Sequence, residues 1–369
     1  MNFSSIPDIV ADMRAGRMVV IVDDEDRENE GDLIMAAECV TTEAIAFMIR
    51  HTSGILCVPM EQQRLAELDL PQMVPNNEEA HRTAFTVSVD YRFGTTTGVS
   101  SDDRAATIRA LASASSTAQQ FVRPGHIFPL RAQPGGVLTR AGHTEAAVDL
   151  CRLAQLRPAG VLCEIMNPDG TMMRRPQLEE FAATHGLHIG SIADLIRYRL
   201  ETEKTVTREF ERELDTEFGR FRVLGYRDSI TQLAHFALVR GTIDDGEPVL
   251  TRVHMRDTLS DVLHIARADG PFSLAAALAH VGAHARGGIV VVLSDADEAR
   301  TALERLEKLG APREPDAPEW RRHGVGAQIL ADLGVRQLRV LGTPRRFLGL
   351  SGFGLEIVGY EDLGLRAEG

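Results

Sequence analysis

The sequence predicts an α+β chain of two domains, on three observations. Apolar runs of strand length such as "MVVIV" and "GIVVVL" recur, but helical patterns do not separate them regularly enough for a repeated crossover fold. A chain of 369 residues is long enough for two domains that each bury a core. The most charged long stretch, "RLETEKTVTREFERELDTEFGRF" at residues 199 to 221, follows the end of a helix and puts a boundary near residue 204. The expected domains are therefore 1–204 and 205–369.

From residue 17 the pattern reads strand ("RMVVIV"), acidic loop, strand ("DLIMAAE"), then a helix starting near Thr42. Ile45, Phe47, Met48 and Ile49 give that helix its apolar positions, and it ends before Gly54. Strands are expected at "GILCVPM", "AFTVSVD", "VLTRAGHT" and "GVLCEIM", and helices at "EAAVDLCRLAQL" and "SIADLIRYRL". Ser191 can cap the last of these, with Asp194 three residues on. The second half has strand patterns at "FRVLGYR", "HFALVRG", "VLTRVHM", "GGIVVVL" and "RQLRVLG", and a helix at "GAQILADLG". No internal repeat is evident.

With 53 acidic against 40 basic side chains the formal charge is −13. Nucleic acid and anionic membranes attract basic surfaces, so neither is expected as a partner. A small anion can still bind through a local arginine or a bound cation. No run approaches the roughly 18 apolar residues of a membrane span, and the first residues lack the layout of a signal peptide. A cytoplasmic protein is expected. Cys39, Cys57, Cys151 and Cys163 show no C-x-x-C spacing, which suits reduced thiols rather than a disulfide frame.

Residues 23 to 32, "DDEDRENEGD", carry seven carboxylates and one arginine directly after an apolar run. At about 4 Å and an effective dielectric of about 20, two like charges repel by roughly 4 kcal/mol. Carboxylates in a loop are ordinarily just solvated. In extended chain, however, Glu28, Glu30 and Asp32 point the same way, and such oxygen donors suit a hard divalent cation like Mg²⁺. Arg27 can turn its fork to a phosphate or a neighbouring acid.

"LTRAGHTEAAVDL" is a second constellation. Arg140, the Ala141-Gly142 turn, His143 and Thr144 precede a helix, where free N–H groups, a hydroxyl and a guanidinium can converge on an anion. A helix cap beside an incidental arginine accounts for part of this, but a plain cap has no use for His143, whereas a metal does. His126 lies in the Pro- and Gly-punctuated "RPGHIFPL", expected to be a turn. Glu164 interrupts an apolar strand, where a carboxylate must be paired, neutralised or functional.

In this order over residues 1 to about 200, "DDEDRENEGDL", "TGVSSDDRAATI", "RPGHIFPL", "RAGHTEAAVDL" and "CEIMNPDGTMMR" closely resemble the 3,4-dihydroxy-2-butanone 4-phosphate synthases of riboflavin biosynthesis. The resemblance implies an α/β sandwich domain, a homodimer, and Mg²⁺ or Mn²⁺ with two ions per active site. It implies conversion of ribulose 5-phosphate to formate and a four-carbon ketone phosphate. By the same resemblance Glu28 and His143 are metal ligands. Arg27, Glu28, Asp32, Arg140, Ala141, Gly142, His143, Thr144 and Glu164 hold the sugar phosphate, and His126, Glu164 and Asp32 serve catalysis.

In the second half, "VLTRVHMRDTLSDVLHIARADG", "RRHGVGAQILADLGVRQLRVLG" and "GFGLEIVGYEDL" resemble GTP cyclohydrolase II, an α+β domain that often follows the synthase. That family holds zinc through three thiolates. Aligned on the shared "RVH", those positions carry Asp257, Ala268 and Gly270 here, so no zinc is expected. The segment after "GGIVVVL" reads "SDADEAR" in place of a glycine- and arginine-rich one, and Glu319 stands where Asp is expected, with Arg321 kept. A domain of retained fold and lost activity is expected. The alternatives are a bifunctional enzyme and a nucleotide- or partner-binding regulatory module.

Overall fold

The computed structural model describes residues 3–25, 27–243, 246–265, 273–295, 298–307, 319–342 and 350–362. The chain divides into two compact units, Met1–Tyr198 and Arg199–Gly369. Both are mixed α/β.

In the first unit one sheet is built from β1 (Val19–Val22), β2 (Gly31–Ala36), β3 (Cys57–Met60), β4 (Val89–Tyr91), β5 (Phe121–Arg131), β6 (Gly160–Glu164) and β7 (Ile189–Ser191). Their order is β4-β5-β3-β6-β2-β1-β7. The β1–β2 and β2–β6 pairs are antiparallel, whereas β1–β7 and β3–β5 are parallel. Every residue of β1, β2 and β3 is buried, as continuous Val/Ile/Leu/Met runs require when both faces of a sheet are covered. On one face Val20, Leu33, Met35 and Val161 pack with Ile45 and Met48 of the helix Thr42–His51 and with Ile108 and Leu111 of the helix Ser101–Ala112. Each such side chain contributes about 1.5–3 kcal/mol by leaving water.

Local signals locate several ends. Thr41 accepts the N–H of Ala44 and starts the helix Thr42–His51. Ser191 accepts the N–H of Asp194 at 3.1 Å and starts the helix Ile192–Thr202, as the Ser191/Asp194 spacing predicts.

Three segments differ from expectation. "VLTRAGHT" is no strand: Gly136–Leu138 forms a 3₁₀ turn and His143 already opens the helix His143–Leu153. Its backbone is captured by a side chain of the following helix, because the Asp149 carboxylate accepts the Val137 N–H at 2.7 Å, and a side chain on Gly136 would run into that carboxylate. "RPGHIFPL" is not a free turn but the middle of β5. Its Pro and Gly fall where the ladder to β4 breaks, since Val89 pairs with Ile127 but the next residue, Asp90, pairs with Val122. "AFTVSVD" forms regular strand only from Val89, the rest making isolated bridges such as Phe85 to Leu130.

The second unit has β8 (Val206–Thr216), β9 (Gly219–Asp228), β10 (Ala234–Arg240), β11 (Val249–Met255), β12 (Gly288–Leu293), β13 (Gln337–Leu341) and β14 (Glu356–Glu361). They follow the order β14-β13-β11-β12-β10-β9-β8. One apolar core contains Leu224, Val239, Val291 and Ile329, and a second contains Phe221, Leu250, Val281 and Val290. The densely charged run reads out as the end of the helix Ile192–Thr202 followed by β8, an edge strand in which only Val206 is buried. Charge on an exposed edge discourages pairing with other chains. Gln328 fastens the approach to that strand by accepting the Thr205 N–H at 2.8 Å and donating to the carbonyls of Leu200 and Glu203. Among the described residues no helix is long and apolar enough to cross a membrane.

Candidate active site

The acidic stretch is a folded turn built around Asp23. Its carboxylate accepts the Glu30 N–H at 2.8 Å, the Glu28 N–H at 3.0 Å and Arg27 Nη1 at 2.9 Å. Asn29 adopts φ 54°, so the chain is not extended through Glu28, Glu30 and Asp32 and the simple alternation expected of it fails. Arg27 also pairs with Glu28 at 2.9 Å, and Arg174 donates to the Glu28 carbonyl at 2.8 Å while lying 3.8 Å from Glu30. The guanidiniums of Arg27 and Arg174 and two backbone N–H groups on Asp23 thus offset much of the repulsion. Asp26 lies outside the described residues.

The turn delivers Glu28 to His143. Glu28 Oε2 is 3.7 Å from His143 Nδ1, and Asp32 Oδ1 is 3.9 Å from the same nitrogen. On the far side of the ring Nε2 lies 3.1 Å from the Ile21 carbonyl. A carbonyl only accepts, so Nε2 carries a hydrogen and Nδ1 is the atom turned to the carboxylates. Strand register completes the group, because Asp32 on β2 lies opposite Glu164 on β6. Ser53 Oγ donates to Glu164 Oε2 at 2.7 Å, and the Ser53 N–H donates to the Glu164 carbonyl at 2.9 Å.

Burial and mutual charge set the protonation. Burial, reinforced by Glu164, Glu28 and Glu30, pushes the Asp32 carboxyl up to about 7 against the pull of His143. Burial alone would lower His143, but Asp32, Glu28 and Asp23 outweigh it and raise the imidazole to about 9. For Glu28 burial is again the largest single influence, yet His143 and Arg27 together hold it at about 2. Burial and then Glu28 raise Glu30.

These residues fit a divalent cation. Asp32 Oδ1 is buried without a hydrogen-bond partner, which is costly for a carboxylate oxygen, and Asp23, Glu28 and His143 offer ligand atoms within 4.8 Å of one another. Asp23 already takes three donors, which leaves Glu28 and His143 better placed to hold such an ion, with Asp32 beside them.

The helix His143–Leu153 starts from Gly142, which has no side chain to cap the first turn. A side chain there would collide with Arg140, while Ala141 and buried Thr144 flank the turn. Arg140 Nη1 donates to buried Glu145 at 2.7 Å, and Nη2 donates to the His81 carbonyl and to Thr83 Oγ1, both at 3.1 Å. His81 comes within 4.0 Å of Glu28. His126 is engaged elsewhere, by Asp90 at 2.7 Å. Sequence reasoning missed Asp23, Ser53, His81, Asp90 and Glu145. Asp23 lay inside the acidic run and Glu145 two residues after His143, but nothing in the sequence set Ser53, His81 or Asp90 apart.

In the second unit Asp257 accepts the Leu259 N–H at 2.9 Å, and Asp261 meets His254 Nε2 at 2.7 Å. Ala268, Gly270 and the side chains of Glu319 and Arg321 lie outside the described residues, as do residues 296–297 of "SDADEAR".

Comparison with known proteins places this geometry. The family model for 3,4-dihydroxy-2-butanone 4-phosphate synthase matches residues 7–198, and that for GTP cyclohydrolase II matches residues 207–362. A 3,4-dihydroxy-2-butanone 4-phosphate synthase of Pseudomonas aeruginosa is 49% identical over 98% of this chain and 99% of its own. A chloroplastic bifunctional riboflavin biosynthesis protein of Arabidopsis thaliana is 47% identical over 97% of this chain and 68% of its own. The crystal structure of a two-domain synthase from A. baumannii superposes with a TM-score of 0.78 at 44% identity, covering 97% of this chain and 99% of that one. A synthase crystallised with two magnesium ions gives a TM-score of 0.53 at 47% identity over 54% of this chain and 98% of its own. With its acidic turn, its buried histidine and its opposed carboxylates all in the matched region, the chain belongs to the 3,4-dihydroxy-2-butanone 4-phosphate synthase family.

Proposed function

We propose that this chain is a riboflavin-pathway synthase that converts ribulose 5-phosphate into formate and 3,4-dihydroxy-2-butanone 4-phosphate, with residues 1–204 as the synthase domain and 205–369 as a cyclohydrolase II-like domain without turnover of its own. The observation that carries this reading is the meeting of Glu28 and Asp32 with His143, over a hundred residues further along the chain, beside Glu164. Glu28 and His143 would hold Mg²⁺ or Mn²⁺, with two ions per site, and a similar synthase has been crystallised with two magnesium ions. Bound there, a divalent ion supplies Lewis-acid stabilisation of developing oxyanions.

The side chains supply the rest. Losing formate from a ketopentose phosphate takes enolisation, loss of water, carbon migration and hydration, so protons move repeatedly. Asp32 and Glu164 sit opposite each other on neighbouring strands and can take and return protons on one face of a bound sugar. His126 serves the same chemistry. Arg27 and the segment Arg140, Ala141, Gly142, His143 and Thr144 receive the sugar phosphate, through the uncapped first turn of the helix His143–Leu153. The working protein is a cytoplasmic homodimer.

In the second domain Asp257 spends its side chain on capping the turn at residues 258–262, which supports the absence of zinc. The bifunctional relative favours the other reading, in which GTP is also opened. Formate release from ribulose 5-phosphate with Mg²⁺ is expected, and its loss on chelation. Zinc content and GTP turnover of the full chain separate the two readings. Full turnover in excess chelator would remove the metal from the synthase site.

A further inference from the structure

His126 stands where the β4–β5 ladder is interrupted. Val89 pairs with Ile127 and Asp90 with Val122, so the four residues Arg123, Pro124, Gly125 and His126 loop out of register. Their backbone N–H groups need other acceptors. Ser88 Oγ takes that of Gly125 at 3.2 Å, and Asp90 Oδ1 takes that of His126 at 2.9 Å. The second carboxylate oxygen of Asp90 lies 2.7 Å from His126 Nδ1. One carboxylate therefore grips both the main chain and the ring of the same residue. Its side chain is 14% exposed, and that of His126 is 46% exposed, so the ring is held from behind and open in front.

The motif "TGVSSDDRAATI", prominent in the sequence but given no site residue above, closes the back of this pair. Buried Asp103 accepts the N–H groups of Thr96 and Gly98 at 2.9 and 3.0 Å and the Thr96 hydroxyl at 2.8 Å. That fixes the turn carrying Gly98, at φ +83°. A Cβ on Gly98 would fall 2.1 Å from Asp90 Oδ2 and 2.8 Å from His126 Nδ1. Only glycine allows the turn to seat against the pair.

We propose that Asp90 is a positioning residue for His126: its carboxylate keeps the hydrogen on Nδ1 and so presents Nε2 as the nitrogen that exchanges protons with substrate. This rests on the reading of His126 as a residue needed for turnover. A carboxylate only accepts, so the neutral ring is held in one tautomer with a lone pair on Nε2. The amide of an Asp90→Asn variant can still accept the His126 backbone N–H, but its NH₂ group then faces Nδ1 and drives the hydrogen to Nε2.

The test uses the full chain with Mg²⁺. Asp90→Asn is expected to lower kcat by roughly two orders of magnitude, the scale of general acid–base catalysis, with little change in KM, and Asp90→Glu to recover part of the loss. Nitrogen NMR of the unsubstituted protein is expected to show neutral His126 protonated at Nδ1. Wild-type turnover by Asp90→Asn, alongside an inactive His126→Ala, would overturn the role of Asp90 alone, as would an Nε2-protonated ring in the unsubstituted protein. An active His126→Ala would instead overturn the reading of His126, and the proposal with it.

Discussion

If Glu28 and His143 hold the cation, as proposed above, metal binding must displace a proton from His143. Nε2 is committed to the Ile21 carbonyl, so the proton at stake is the one on Nδ1, facing Glu28 and Asp32. The carboxylates hold the ring protonated up to about pH 9 against the effect of burial, so it is almost fully charged at pH 7.5. A cation on Glu28 and His143 therefore releases close to one proton. Below pH 9 its affinity is expected to rise about tenfold per pH unit, or about 1.4 kcal/mol, giving roughly a hundredfold gain between pH 6.5 and 8.5. Calorimetric titration with Mg²⁺ in two buffers of different ionisation enthalpy measures both quantities. The same group affects folding. Its folded value lies above the usual 6.5, so its stabilisation is complete below pH 6.5 and disappears as pH rises through 9, a loss of about 3 kcal/mol that Mg²⁺ should restore. Affinity independent of pH with no proton release would refute the assignment of Nδ1 as ligand.

Asp23→Ala leaves the Glu28 and Glu30 N–H groups and Arg27 without their acceptor. It should destabilise the first unit by about 2–4 kcal/mol and abolish Mg²⁺ binding, as read by thermal unfolding and calorimetry. Ser53→Ala releases Glu164 Oε2 and is expected to cut kcat about tenfold or more with the fold intact; unchanged kinetics would show that Glu164 needs no such hold. Gln328→Ala frees Thr205, Leu200 and Glu203, and should lower the stability of the second unit by about 2–3 kcal/mol in denaturant titration while synthase activity persists.

Composition and periodicity located β1, β2, β3, β6 and the helices at Thr42–His51 and Ile192–Thr202, because continuous apolar runs and caps are local properties. They failed where a side chain from elsewhere took over the backbone. Asp149 turns "VLTRAGHT" into a 3₁₀ turn, and Asp90 and Ser88 absorb the interruption at "RPGH" that looked like a free loop. The densely charged β8 carried no alternation to mark it, since an exposed edge strand has no buried face.

The sequence by itself determined which chemical groups are available: a crowd of carboxylates after a buried strand, an imidazole before a helix, and an acid in an apolar strand. It could not determine their meeting. Asp32 faces Glu164 only through the register of β2 on β6, and His143 offers Nδ1 only because the Ile21 carbonyl, 122 residues earlier, holds its other nitrogen. Protonation followed from the same packing, because a carboxylate and an imidazole acquire shifted affinities for protons only once burial removes water and brings their charges together.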